Sequence, residues 1–497
     1  MSQTDFPVWI SATHFLNLLF LVLLARSGIQ ILASFPRLFL DDGCTPGREV
    51  LKFTRKPVPA GRLYQSLDEE ADVPSWLALP GGKGATGGLG VGRHWHLFVA
   101  IAWLATGCVY VLLLLLTGEW RRIVPTSWSV FPDAVAAANT YLHFHLAEPP
   151  AGQPYNPLQQ LAYFGVVFLL APLQIATGAA MSPAVAGRFP WYTRLFGTRQ
   201  AARTIHFVCL LLFGAFVVVH TAMVVAHGLP KELAAIALAN PAASPAAALT
   251  AGAVGIAFVL VVNVVVTLVG RRNPRQTQTA LGRIVDPIQR VLSRGLDSRQ
   301  DYSPADVTRY FWVNGYPPPD AEYRRLAERN FSGWTLKIRG EIAGDLELSL
   351  DDLRRMPSAT QVTRHNCIQG WSGIAQWRGV PLSTLMERCR ILPSARYIVF
   401  YAFDDKSKTQ GEDGYYYETL DVDLALRPQT ILAYEFNGAP LPVEHGAPLR
   451  LRVESQLGFK MVKWIREIAF VRNYRRIGLG YGGWREDHAY YSRVVGI

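Results

Sequence analysis

Charge is scarce in this sequence. Asp, Glu, Lys and Arg make up 18% of its residues, where soluble domains average about 25%. Acidic residues are the scarcer kind, 38 against 49 Lys+Arg, which leaves a net charge of +11. Cysteine is rare too: Cys44, Cys108, Cys209, Cys367 and Cys389 form no CxxC pattern. An odd, scattered count argues against a disulfide framework and allows one special thiolate. The N-terminus has no basic n-region, cleavage site or twin-arginine pair. The first apolar segment is therefore expected to be a retained span. No internal repeat and no phosphate-binding loop are present. GLGVG near residue 90 follows no strand and is expected to be a membrane-edge turn. The basic residues sit in loops rather than on a recognition motif, so no nucleic-acid partner is expected.

Apolar residues are abundant. They make up half of the 497 residues, and mean hydropathy is +0.14. Most lie before residue 271. Five runs are long enough to cross a bilayer, at about residues 8–31, 95–117, 158–181, 204–226 and 249–269. Five spans put the termini on opposite sides. Residues 36–93, 181–203 and 271–299 carry eight, four and seven Lys+Arg, while the other side has only Arg121, Arg122 and Lys231. The positive-inside rule then places everything after residue 270 in the cytoplasm and the spans in an inner membrane.

Ionisable residues inside spans are functional by default. His14 lies near the outer end of the first run, His94 and His96 at the inner start of the second, and His206 and His220 in the fourth. Fourteen residues make nearly four helical turns, so His206 and His220 share one face about 21 Å apart. The topology sets His206 level with His96, and His220 level with His14. A lone histidine would read as an interhelical hydrogen-bonding group. Four matched by depth and face read as two stacked bis-histidine sites, and neutral imidazole is a good haem-iron ligand. His94 competes with His96, which is preferred. His227 is read as interfacial, and His143 and His145 as surface residues. Arg26 could meet a haem propionate or simply snorkel.

RHWHLFVAIAWLATG, YNPLQQLAYFGVVFLLAPLQIATGAAMSP and RTIHFVCLLLFGAFVVVH resemble the prokaryotic di-haem cytochrome b subunits of hydrogenases and formate dehydrogenases. The resemblance covers about residues 8–270. It implies two haem b groups, electron exchange with quinone or quinol, and a catalytic partner, which here looks fused to the same chain.

Residues 271–304 form a basic membrane-edge linker, in which GRIVDPIQRVLSRGL could lie along the membrane as a short amphipathic helix. Residues 305–497 read as an α+β domain. Strands are expected over 334–342, 395–403 and 447–455, and helices over 348–356, capped by Ser349, and 381–389. In TRHNCIQGWSGIAQWRGVPL (363–382), Cys367 sits among Arg364, His365 and Asn366. Such neighbours are expected to lower a thiol's pKa. A thiolate there is a nucleophile or a soft metal ligand, and the residues alone do not separate the two. Cys389, in an apolar helix, reads as core.

That segment resembles the sulfite oxidase family of molybdopterin enzymes, most of all the bacterial methionine-sulfoxide reductase catalytic subunits. The resemblance implies that Cys367 coordinates molybdenum. HGAPLRLRVESQLGFKMVKWI (445–465) resembles the pterin-binding segment, which implies cofactor contacts from His445, Arg450, Met461, Val462 and Lys463. Arg and Lys suit a pterin phosphate. Where those reductases have a glutamate two residues after the cysteine, this chain has Gln369, which removes an acid near the metal. His365 is a candidate for cofactor or pocket contact. Arg364 and Tyr415–Tyr417 are candidate pocket groups, although YYYETL also reads as a strand with core aromatics.

The expected protein is thus multidomain: a five-span all-α bundle (1–270), a linker (271–304) and an α+β sulfite oxidase-type molybdopterin domain (305–497). It would be a membrane-bound molybdenum oxidoreductase with two haem b and a molybdenum–molybdopterin. Its partners would be membrane lipid, quinone or quinol, and a small oxo-donor or oxo-acceptor. Reduction of an S-oxide or N-oxide is the preferred direction. A sulfite-type donor feeding quinone, or a haem conduit whose C-terminal domain only docks a partner, remains open.

Overall fold

The computed structural model describes residues 6–59, 63–84, 88–293, 300, 302–409 and 414–493. Residues 294–299 and 301 of the expected linker lie outside that set.

Five helices are long and apolar enough to cross a membrane: Val8–Ala33, Leu89–Thr117, Pro157–Met181, Arg199–Ala226 and Pro245–Arg272 (the first to fifth spans). Their outward faces carry exposed Leu112, Leu116, Val218 and Val261, a surface suited to hydrocarbon rather than water. The protein is a multi-pass membrane protein. Polar caps set the helix starts. Asn156 forms a capping box with Gln159, with Pro157 in the first turn. The Thr198 hydroxyl accepts from Ala201 N at the start of the fourth span. Pro172 lacks an N–H and crowds the preceding turn, and residues Gly165–Leu170 widen there into a π turn.

Two expectations change, those for GLGVG and Arg26, while the expected linker helix forms and starts earlier. GLGVG is the N-cap and first turn of the second span rather than a membrane-edge turn. A Cβ on Gly90 would collide with the Ala489 carbonyl, so the glycine lets the C-terminal segment lie against the helix. The linker helix runs over Pro274–Ser293 and is tied to the second span. Asp286 accepts from Ser492 Oγ at 2.7 Å, and that hydroxyl lies 3.0 Å from His94 Nε2. Arg26 neither snorkels nor stands free for a propionate. It is buried, donating to Asn263 Oδ1 (2.9 Å), Thr267 Oγ1 (2.8 Å), Ala78 O (3.1 Å) and Ser75 O. It joins the first span to the fifth and to the loop between the first two.

That loop, residues 34–84, folds over the bundle. Arg37–Leu38 (β1) pairs with Leu51–Lys52 (β2), and Asp72–Val73 (β3) with Gly82–Lys83 (β4). Arg37 is buried between Glu49 and Glu69.

The soluble half is α+β, with two five-stranded sheets. One has the order β10–β9–β14–β5–β6: Tyr415–Asp421, Tyr397–Asp405, Ile465–Val471, Thr335–Gly340 and Leu346–Ser349. Only β14 and β5 pair in parallel there. In the other, β11 (Thr430–Phe436) has β8 (Ser372–Pro381) on one side and β12 (Ala439–Pro440) and β13 (Arg450–Val453) on the other, and β7 (Ala359–Asn366) borders β8. The expected helices occur as Leu350–Arg355, capped by Ser349, and Leu382–Cys389. Leu336, Ile338, Phe400 and Ile468 from the first sheet pack with Leu432, Leu451 and Val453 from the second in one core.

The two halves also share a core. Phe35, Phe39 and Leu89 of the membrane half pack with Trp312, Cys367, Trp371, Leu457 and Tyr491. Gly90→Val should push the C-terminal segment off the second span. A loss of roughly 1–3 kcal/mol is expected from such overpacking, read as faster amide exchange over residues 484–493.

Candidate functional site

Two histidine pairs stand inside the bundle. The His96 and His206 rings are 6.2 Å apart centre to centre, and so are the His14 and His220 rings. Two imidazoles on opposite sides of one metal, with bonds of about 2.0–2.1 Å, have centres about 6–6.5 Å apart. Both pairs are therefore spaced for a shared metal. Neighbours orient the rings: Ser27 Oγ lies 3.0 Å from His96 Nδ1, and Tyr163 OH lies 3.5 Å from His220 Nδ1. His206 Nδ1 lies 3.0 Å from the Gln174 backbone carbonyl, which can only accept, so Nδ1 carries a proton and Nε2 accepts from the Gln174 side-chain amide (3.0 Å), a bond that a metal there would replace.

His94 is placed differently. Its Nδ1 lies 2.8 Å from Gly90 O and its Nε2 is taken by Ser492. His227 closes onto Met223 O at the helix end, and His143 and His145 are exposed.

In the soluble half a cleft encloses about 700 Å³, counting its open mouth. His365, His445, Arg450, Met461, Val462 and Lys463 all line it. Cys367 lies just behind the wall: Asn314, which lines the cleft, donates to its Sγ at 3.2 Å. Burial pushes the Cys367 thiol up to about 11, opposite to the lowering expected from its neighbours. The reason is where those neighbours point. Arg364 turns away to Asp42 (2.7 Å). His365 accepts at Nδ1 from Arg452 Nη1 (3.0 Å), and burial, then the charge of Arg452, hold it well below its ordinary pKa. It is a neutral imidazole whose remaining donor is Nε2–H. Arg452 is itself held by Glu454.

Several buried groups here lack partners among the described residues. The Asn366 amide, fully buried beside Cys367, has neither its oxygen nor its nitrogen bonded, and Arg450 Nε is unbonded too. Unmade hydrogen bonds are costly in a native interior and point to a missing partner. Arg450 and Lys463 are both driven well below their usual values, first by burial and then by nearby cationic charge. Two cations in one wall suit an anion. No group of three or more His, Cys, Asp or Glu among the described residues could hold a bare ion. Two-histidine and one-cysteine sites become complete with a chelate that brings its own donors, so the residues fit haem and a metal dithiolene.

Sequence reasoning missed Asn314, Asp404, Lys406 and Arg485 of the cleft, and it named Asn366 only as a neighbour of Cys367. Only the Asn-Gly step at 314–315 marked a turn there. Tyr416 lines the cleft, while Tyr417 turns away to Asp487.

Gln369 is fully buried at the joint between the halves. Its oxygen accepts from Ser66 (2.6 Å), Asn314 and Trp371 (3.3 Å each), and its nitrogen donates to Ser34 O, Ser66 O and Glu70. Gln369→Glu would set a carboxylate against three acceptors. A loss of about 3 kcal/mol is expected, seen as a lower melting temperature.

Residues 5–237 match the family model described as prokaryotic cytochrome b561. Residues 324–476 match the oxidoreductase molybdopterin-binding domain. A relative from Azospira oryzae, named as the YedZ1 subunit of a protein-methionine-sulfoxide reductase, is 32% identical over 38% of this chain and 64% of its own. The protein-methionine-sulfoxide reductase catalytic subunit MsrP of Xanthomonas axonopodis pv. citri is 37% identical over 33% of this chain and 54% of its own. The chain thus spans less than two thirds of either relative's length. The solved sulfane dehydrogenase SoxCD from Paracoccus pantotrophus aligns over 30% of this chain and 44% of its own, at 22% identity and a TM-score of 0.26, too weak to bear on the fold. The chain joins a prokaryotic cytochrome b561 domain to an oxidoreductase molybdopterin-binding domain of the sulfite oxidase type.

Proposed function

We propose that this protein is a membrane-bound oxidoreductase that carries electrons from quinol through two haem b groups to a molybdopterin centre, where an S-oxide is reduced. His14 with His220, and His96 with His206, would each hold one haem. Cys367 would be the protein's thiolate on molybdenum, and Arg450, Lys463, His445, Met461 and Val462 would hold the pterin and its phosphate. When bound, the cofactor supplies oxygen-atom transfer and two-electron redox chemistry. The chain's own residues position and insulate. His365, fixed neutral by Arg452, offers one N–H to the cleft. Trp371 and Ile368 close its floor, and Asn314 orients the thiol.

One observation carries this reading. Arg203 lies three residues, about one helical turn, before His206. Its guanidinium packs against the turn that follows Cys367: a Cβ on Gly370 would stand 3.2 Å from Arg203 Cζ. The inner histidine pair and the metal cysteine are therefore joined by a short, packed route. The relatives' names supply the S-oxide class. The proposed side for the soluble half is the cytoplasm. It sits among the basic loops, and their excess survives removal of Arg37, which is neutralised by Glu49 and Glu69. A C-terminal alkaline phosphatase fusion should then be inactive in whole cells, and an active one would reverse the orientation.

Metal and haem analysis of the detergent-purified chain tests the cofactor roles. About two haems and one molybdenum per chain are expected. His96→Ala and His14→Ala should each lose one haem, His94→Ala neither, and Cys367→Ser should keep both haems while losing the molybdenum electron-spin signal of the wild type. Haem without molybdenum in the wild type would leave only the cytochrome.

A further inference from the structure

Behind the cleft wall lies a buried cluster that the electron route does not use. Lys460 donates to Glu418 Oε2 at 2.8 Å and also pairs with Glu486. Glu418, Lys460 and Glu486 are all at most 2% exposed. Glu486 Oε2 has no hydrogen-bond partner among the described residues. The two carboxyl groups face each other closely: a Cβ on Gly483 would collide with Glu418 Oε2 and Glu486 Oε2 together. One lysine is shared by these two buried carboxylates. A proton shared between the facing oxygens satisfies both the charge and the unbonded atom.

The cluster reaches the cleft. Tyr416, two residues before Glu418 on the same strand and so on the same face of it, lines the cleft. The Tyr416 hydroxyl donates to Phe459 O (2.6 Å), so handing a proton to the cleft requires it to turn from that carbonyl while its oxygen takes one from Glu418. The charged and titratable groups facing Glu418 are Lys460, Glu486, Arg485 and Tyr416, with Tyr417 and Asp487 beyond them. Burial and the Glu486 charge hold Glu418 well above the usual carboxylate range. Asp487 differs: it accepts from Tyr417, Leu479 N and Tyr481 N and needs no proton.

We infer that Glu418 and Glu486 share a stored proton and deliver it through the Tyr416 hydroxyl to the substrate cleft. The inference rests on the S-oxide reading above. Reduction of an S-oxide breaks the S–O bond and consumes two protons and two electrons, R2SO + 2H+ + 2e− → R2S + H2O. Quinol, through the haems, supplies the electrons. One proton comes from the carboxyl pair, which is then reloaded, and the other from water at the cleft mouth. This arrangement places the acid away from position 369, where a glutamate would disturb the joint between the halves.

The test uses the full-length chain in detergent, with infrared absorption and S-oxide turnover measured across pH. The wild type should show a carboxylic-acid C=O band at neutral pH, and Glu418→Gln and Glu486→Gln should each abolish it. Both variants should lose turnover about tenfold above roughly pH 7, with the deficit shrinking toward acid pH, and Glu418→Asp should recover part of it. Glu486→Gln stands in if Glu418→Gln fails to fold. A band that survives in both variants, or turnover that matches wild type at every pH, overturns the proton store. A wild type that reduces no S-oxide sinks the functional reading instead, and the proposed delivery step with it.

Discussion

The turn after Cys367 has to sit rigidly on the bundle, and the amide of Gln369 holds it there. Six hydrogen bonds converge on that one side chain from the first inter-span loop, from Asn314 and from Trp371. Gln200 of the fourth span reinforces the seat by donating to Gly370 O and Ser372 Oγ at 2.9 and 3.0 Å. Arg203 ties the same helix to Phe35 O and Arg37 O. An amide can donate and accept at once, and a carboxylate cannot. Gln369 is thus explained by the joint, whatever acid the chemistry requires elsewhere.

The rest of the molecule divides its tasks around this joint. The membrane half places two histidine pairs, each with one member on the fourth span and the other on the first or second. The soluble half places cations, an orphaned amide and a neutral imidazole around one cleft. Protons and electrons would approach that cleft from different sides, the electrons from the bundle, one proton from the Glu418–Glu486 pair and the other from water at the mouth. Keeping the two routes apart lets the joint stay dry: Trp312, Trp371, Phe35 and Cys44 are all at most 1% exposed.

Much of this was legible in the sequence, for physical reasons. Bilayer thickness demands long apolar runs, so five spans stand out whatever else the chain does. Helical periodicity put His206 and His220 on one face, and topology matched them to His96 and His14, which the ring distances support. The span starts were less legible. Hydropathy fades where Arg93, Arg199 and Arg203 enter, yet the helices continue, with Arg199 donating to Met181 O and Arg203 to Phe35 O and Arg37 O. Arg364 shows the same limit, since its charge does not say that it turns to Asp42 instead of the cleft. Asn314 and the Glu418–Glu486 pair come to the cleft from distant segments, and no local pattern announces them. Cys367 was recognisable from its neighbours, but its ionisation was misjudged because burial outweighs charges that point elsewhere.

The central claim is that haem electrons leave through the Cys367 site onto an S-oxide. The direct measurement is a rapid mix of chain with both haems reduced against a dialkyl S-oxide under anaerobic conditions, following the reduced-haem absorption band. The account predicts that the band decays in the wild type and persists in Cys367→Ser. Haems that stay reduced in the wild type, or that oxidise equally fast in Cys367→Ser, would contradict it.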